Sequence, residues 1–192
     1  PGERGQITQL PEGLTDDFTM ADLKLEFGFG DLGLTSVTTY IDRQVAVDRD
    51  ATQLTGSVTK SPIGLSDEDA RIDSPLLDRT DMQVFSQELR LASTGEGPLQ
   101  WLVGAFYQQA DREYGQDLPT IGYDDLIGAP SELFSAPPDT PFFSRMSYDF
   151  QQFALFGEAS YRFSTQWALS AGLRYYDFEE DRILTFAGVF AD

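Results

Sequence analysis

Between Phe85 and Asp111 the chain alternates apolar and polar residues through two long stretches joined by a short polar turn, and this constrains its fold more than any other feature. A repeat of two residues belongs to the β-strand, whose successive side chains point to opposite faces, and it excludes an amphipathic helix over the same residues. In Phe85-Ser-Gln-Glu-Leu-Arg-Leu91 one parity carries Phe85, Leu89 and Leu91 and the other carries Ser86, Glu88 and Arg90, with Gln87 as the exception. After Thr94-Gly-Glu-Gly-Pro98, the run Leu99 to Asp111 places Leu99, Trp101, Val103, Ala105 and Tyr107 on one face. Gln100, Gly104 and Gln108 fall on the other. Such a strand is longer than most globular proteins use.

The same unit occurs twice more. Residues 19–29 alternate Leu23, Leu25, Phe27 and Phe29 with Asp22, Lys24, Glu26 and Gly28. They turn at Gly30-Asp31 into a return strand over 32–47, rich in Thr, Val, Ile and Tyr, residues that suit a pleated surface. The last hairpin pairs 148–163 with 167–182 around Ser164-Thr-Gln166. There Phe153, Leu155, Gly157, Ala159, Tyr161 and Phe163 share one parity, as do Trp167, Leu169, Ala171, Leu173 and Tyr175. The central hairpin covers 82–94 and 99–112. Residues 48–81 are dense in Asp, Ser, Pro and Gly, and 113–147 hold Pro119, Pro130, Pro137, Pro138 and Pro141, so both read as long loops. Structureless loops of that length argue against a compact soluble domain. Pro1 to Asp17 reads as a further loop, and Ile183 to Asp192 as the start of another.

Composition removes several functions. The formal net charge is -19 and the pI about 4.1, so the chain repels nucleic acid. With no Cys and no His there are no thiolate metal sites and no Cys/His or Ser/His catalytic arrangements, and no cofactor is expected. At 41% hydrophobic residues the acidity is no sign of disorder. No apolar run approaches the ~18 residues of a spanning helix. Opening on Pro1 without a signal peptide, the chain reads as a partial piece of a longer protein.

Short turns at one end, long loops at the other and strands apolar on one side are the architecture of an outer-membrane barrel. The expected fold is all-β: an antiparallel up-and-down meander, a partial transmembrane β-barrel of about six strands in three hairpins. A strand of ~10 residues, rising ~3.3 Å each and tilted ~45°, spans roughly 23 Å, close to the ~25 Å apolar band of such a barrel. Trp101, Val103, Ala105, Tyr107, Leu155, Tyr161, Phe163, Trp167, Leu169, Leu173 and Tyr175 are then expected to face lipid. Trp101, Tyr161, Phe163 and Trp167 lie near the short turns, where an interfacial girdle belongs. Glu88, Arg90, Glu158, Arg162 and Arg174 are expected to face the lumen, either toward a plug or substrate path or as cross-strand ion pairs in a wet interior. Tyr114, Tyr123, Phe134, Phe142 and Phe143 are loop aromatics that form a ligand-catching mouth or pack the loops.

Three motifs fail on context. Gly28-Phe-Gly-Asp-Leu-Gly33 fits the dinucleotide pattern, but Thr35-Ser-Val-Thr-Thr-Tyr40 after it is a strand, leaving no helix N-terminus for a pyrophosphate. Asp67-Glu-Asp-Ala-Arg-Ile-Asp73 lacks the glycine and terminal glutamate of a calcium hand. Glu179-Glu-Asp181 sits on a strand, where adjacent carboxylates point apart. The chain is expected to be no enzyme.

Phe85-Ser-Gln-Glu-Leu-Arg-Leu-Ala-Ser93 with Gly97-Pro-Leu-Gln-Trp-Leu-Val-Gly-Ala-Phe-Tyr107 resembles the barrel of TonB-dependent outer-membrane receptors. Phe153-Ala-Leu-Phe-Gly-Glu-Ala-Ser-Tyr161 with Leu169-Ser-Ala-Gly-Leu-Arg-Tyr175 is similar to its following hairpin. The resemblance covers residues 19–182. It implies a barrel of about 22 strands closed by a plug. It also implies import of a ferric siderophore, cobalamin or glycan with energy from the inner-membrane TonB complex. The implied partners are outer-membrane lipid, the plug of the same full-length chain, the TonB complex acting through it, and a small-molecule substrate of unknown identity. The implied location is the bacterial outer membrane. Plug, TonB box and most strands are missing, so the chain is expected to be a fragment of the transporter. A passive porin and a soluble β-sandwich binding module are the alternatives.

Overall fold

A computed structural model describes residues 8–191. Six strands form one sheet in the order β1-β2-β3-β4-β5-β6, every neighbouring pair antiparallel. They are β1 (Gly13–Phe29), β2 (Leu32–Asp50), β3 (Pro75–Ser93), β4 (Leu99–Asp117), β5 (Phe143–Arg162) and β6 (Ala168–Ala187). The meander of three hairpins is the one the alternation predicts. At Gly30 the backbone turns with φ of 61°, a left-handed conformation that glycine adopts without a Cβ penalty.

All six strands run further at the long-loop end than the sequence suggested. Residues 13–17, read as loop, belong to β1; residues 1–7 of that expected loop lie outside the described residues. The expected loops 48–81 and 113–147 shrink to 51–74 and 118–142, and β6 continues to Ala187. The cause is the polarity of both faces there. Asp42, Asp81, Asp111, Asp149 and Asp181 occupy positions where the apolar face would have continued, while the backbone ladder pairs regardless of side chain.

The two shortened loops are folded, with helix α1 (Thr52–Ile63) and a 3-10 turn at Asp69–Arg71 in the first. Helix α2 (Tyr123–Ile127) and a 3-10 turn at Ser131–Phe134 lie in the second. Gly56 permits the close packing of α1 on its neighbouring turn, since a Cβ there would stand 2.0 Å from the Ala70 carbonyl oxygen. The Ala51 N–H donates to the Ser74 carbonyl at 3.0 Å and the Leu118 N–H to the Phe142 carbonyl at 3.0 Å, closing each loop at its base. The segment after β6 is tied to the second loop through Gly188 N–H to the Phe134 carbonyl (2.9 Å) and Phe190 N–H to the Pro141 carbonyl (3.0 Å). Most of the buried residues, among them Ala51, Thr55, Leu118, Thr120, Tyr123 and Ala136, belong to this loop layer. The sheet has almost no core of its own; Ala154, Asp78 and Ser144 are its few buried side chains outside the loop junctions.

Candidate functional site

The register sorts the sheet into two faces, because residues paired across an antiparallel ladder point the same way. Trp101, Val103, Ala105, Tyr107, Leu155, Tyr161, Leu169, Leu173 and Tyr175 share one face. Phe163 and Trp167 extend it into the closing turn, where Phe163 N–H donates to the Trp167 carbonyl at 3.0 Å. Glu88, Arg90, Glu158, Arg162 and Arg174 lie together on the opposite face. The two sets expected from the sequence thus separate cleanly by face.

The Trp101 face is zoned. From the short turns it is apolar, apart from Ser36, Thr38, Gln87 and Ser93, as far as Tyr40, Phe85, Tyr107, Phe153 and Tyr175, one aromatic in each of five consecutive strands, and it then becomes acidic. The aromatic line is oblique to the ladder. Tyr40 pairs with Phe85, Tyr107 with Phe153, and Leu155 with Tyr175, so the line descends toward the short turns from β2 to β6. The lower limit descends with it, from Phe29 and Leu32 in the first hairpin to Phe163 and Trp167 in the last. The belt therefore keeps a constant height of roughly nine residues, about 20 Å once the strands are tilted ~45°. In β2 to β5 every large hydrophobic side chain that is exposed, Tyr40, Phe85, Leu89, Leu99, Val103, Phe153, Leu155 and Tyr161, belongs to this face. Sequence reading missed Tyr40, Phe85 and Phe153 as boundary residues. The available signal was an aromatic followed by an acid at the same parity, as in Tyr40-Ile-Asp42 and Tyr175-Tyr-Asp177.

The opposite face carries charge and rings in alternation. Glu88 and Arg90 pair along one strand. Arg174 lies over Phe106 and Phe156, at 5.8 and 5.3 Å from the ring centroids. Gly104 makes room for Phe156, whose Cζ would stand 2.3 Å from a Cβ at that position. Nearer the long loops, Arg43 binds Asp16 through two N–H groups, and Arg182 pairs with Glu180. Asp78 accepts from Arg49, from the Tyr114 hydroxyl at 2.7 Å and from the Gln116 amide at 2.6 Å. Arg112 sits between the Tyr114 and Tyr148 rings, 5.6 Å from each centroid. Among the described residues, neither Arg112 nor Arg174 has a carboxylate within 4.0 Å.

The five candidate loop aromatics divide. Tyr114 and Phe143 are not loop residues but belong to β4 and β5, because the ladder outlasts the apolar alternation. Tyr123 is buried in the loop layer, its hydroxyl 3.1 Å from Thr59 Oγ1 and its ring edge-on to Phe190 at 5.9 Å. Burial pushes its phenol pKa up against the opposing hydrogen bond to Thr59. Phe134 is half-buried beside the segment after β6. Phe142 lines an apolar cleft of about 440 Å³ with Leu54, Val58, Leu76, Leu118 and Phe190.

No helix among the described residues is long and apolar enough to cross a membrane. Comparison with curated proteins finds no match. The pattern of the family described as TonB dependent receptor-like, beta-barrel matches residues 2–190. With a six-stranded meander whose one face carries an oblique apolar belt, the chain belongs to the TonB-dependent receptor β-barrel family, whose members are transporters of the bacterial outer membrane.

Proposed function

We propose that this chain is a wall segment of an outer-membrane importer for a scarce nutrient, such as a ferric siderophore, driven by the TonB complex. The Trp101 face meets lipid and the Arg112 face lines the lumen. The observation that carries this reading is the apolar belt of constant height and oblique course, because a bilayer plane crosses tilted strands along such a line. Exposure supports the same facing: in β2 to β5 the exposed large hydrophobic side chains belong to the Trp101 face. Glu88, Arg90, Glu158, Arg162 and Arg174 are then available to a plug from the same full-length chain. A sandwich would have to hide the whole Trp101 face under a second sheet.

The reading is tested in the organism with the intact parent protein. It should fractionate with the outer membrane, and the growth advantage it confers in nutrient-limited medium should vanish when the inner-membrane TonB protein is depleted. Recovery from the periplasm without detergent would overturn the barrel. An advantage that survives TonB depletion would mean a passive pore.

A further inference from the structure

Among the described residues Arg112 has no carboxylate within 4.0 Å, in a chain whose formal net charge is -19. Its neighbours on the same face are Met82 across one ladder, Tyr148 across the other, and Ala110 and Tyr114 along its own strand; none is acidic. Asp111 and Glu113, adjacent in sequence, point to the Trp101 face. The other lumen-side arginines at this height, Arg43 and Arg182, are engaged by Asp16 and Glu180. The guanidinium carbon lies 5.6 Å from the centroid of each of the two tyrosine rings, and a guanidinium steadied beside aromatic rings takes a carboxylate in the forked geometry that arginine favours.

Arg112, Tyr114 and Gln116 follow one another along one face of β4 at about 6.6 Å per step. Gln116 also lines the apolar cleft, whose other walls include Leu54 and Val58 of α1, 63% and 44% exposed. The acid lying between, Asp78, is opposed by Arg49 and already accepts from Tyr114 and Gln116. An apolar cleft therefore stands about 13 Å up-strand from an arginine that no carboxylate among the described residues engages. We infer that this wall binds an amphipathic organic anion, its apolar body in the cleft and its carboxylate on Arg112. The inference rests on the importer reading and names the chemical class of its solute.

The intact parent protein in lipid nanodiscs, with empty nanodiscs as the blank, is titrated with 8-phenyloctanoate, whose extended chain matches the ~13 Å between Arg112 and the cleft, and with its neutral amide by ligand-observed NMR. The carboxylate should bind at least fivefold more tightly than the amide. Arg112→Gln should erase that preference, Arg112→Lys should keep part of it, and Arg79→Gln, on the other face, should leave it intact. Should Arg112→Gln fail to fold, Tyr148→Leu serves instead and should reduce the preference by freeing the guanidinium. Equal affinities in the native protein, as when a carboxylate of another segment already occupies Arg112, would overturn the proposal, and so would a preference that persists in the variants. No TonB or energy enters this measurement, so its failure is separable from failure of the importer reading.

Discussion

Gln87 interrupts the apolar parity of β3, and its amide is nevertheless satisfied. Thr38 Oγ1 donates to its Oε1 at 2.5 Å and its Nε2 donates to Ser36 Oγ at 3.0 Å, both partners lying on β2 and on the same face. In sequence Gln87 was only an exception to a pattern. The compensation was illegible because it depends on a register that pairs residues far apart in the chain. On a face turned to lipid such an amide must find its partners within the protein. Thr38→Val strands the Gln87 carbonyl and should cost about 1 kcal/mol in urea unfolding of the intact parent in vesicles. Adding Gln87→Met should bring the double variant to less than the sum of the two single losses. Strict additivity would show that β2 does not satisfy the amide.

At the scale of elements, the hairpins were legible and the strand ends were not. Alternation reports a strand only while its two faces differ. Beyond Tyr107, Gln109, Asp111 and Glu113 on the Trp101 face are as polar as Gln108 and Arg112 on the opposite face, so the pattern fades ten residues before β4 ends at Asp117. Helix α1 was hidden for another reason: Thr, Ser, Gly and Val are poor helix formers, and packing on the loop layer holds the helix. Asp124 organises the second loop, accepting from Ser131 N–H at 2.9 Å, the Ser131 hydroxyl, and Asp139 N–H at 3.0 Å. Burial raises its pKa, but these hydrogen bonds outweigh it and hold the carboxyl below the usual range. A depressed carboxylate contributes stability that is fully present above the unfolded value of about 4 and is lost as pH falls through the folded one. Protection of residues 118–142 from hydrogen exchange, taken relative to the intrinsic rate at each pH, should therefore be high at neutral pH and drop below about pH 4. Asp124→Asn should exchange faster at neutral pH and show a smaller acid step; an acid step of undiminished size would assign it to other carboxylates.

At the scale of the whole molecule, the sequence supplied the meander, the barrel architecture and the division into faces, because each follows from parity within a strand. It did not supply the slant of the belt or the isolation of Arg112, which arise only when strands are set side by side. The membrane-facing assignment of the Trp101 face is the central claim, and β6 offers two nearby positions to test it. Leu173, 81% exposed, lies in the apolar belt, whereas Ser170 lies on the opposite face, its hydroxyl donating to Ser160 Oγ at 3.0 Å. An arginine on the lipid face costs ~2 to 4 kcal/mol near the bilayer midplane, while one in the lumen stays hydrated. Folding stability of the intact parent in lipid vesicles, measured for Leu173→Arg and Ser170→Arg, should fall by at least about 2 kcal/mol more in the former; equal losses, or a larger loss at Ser170, would contradict the facing assigned to this sheet.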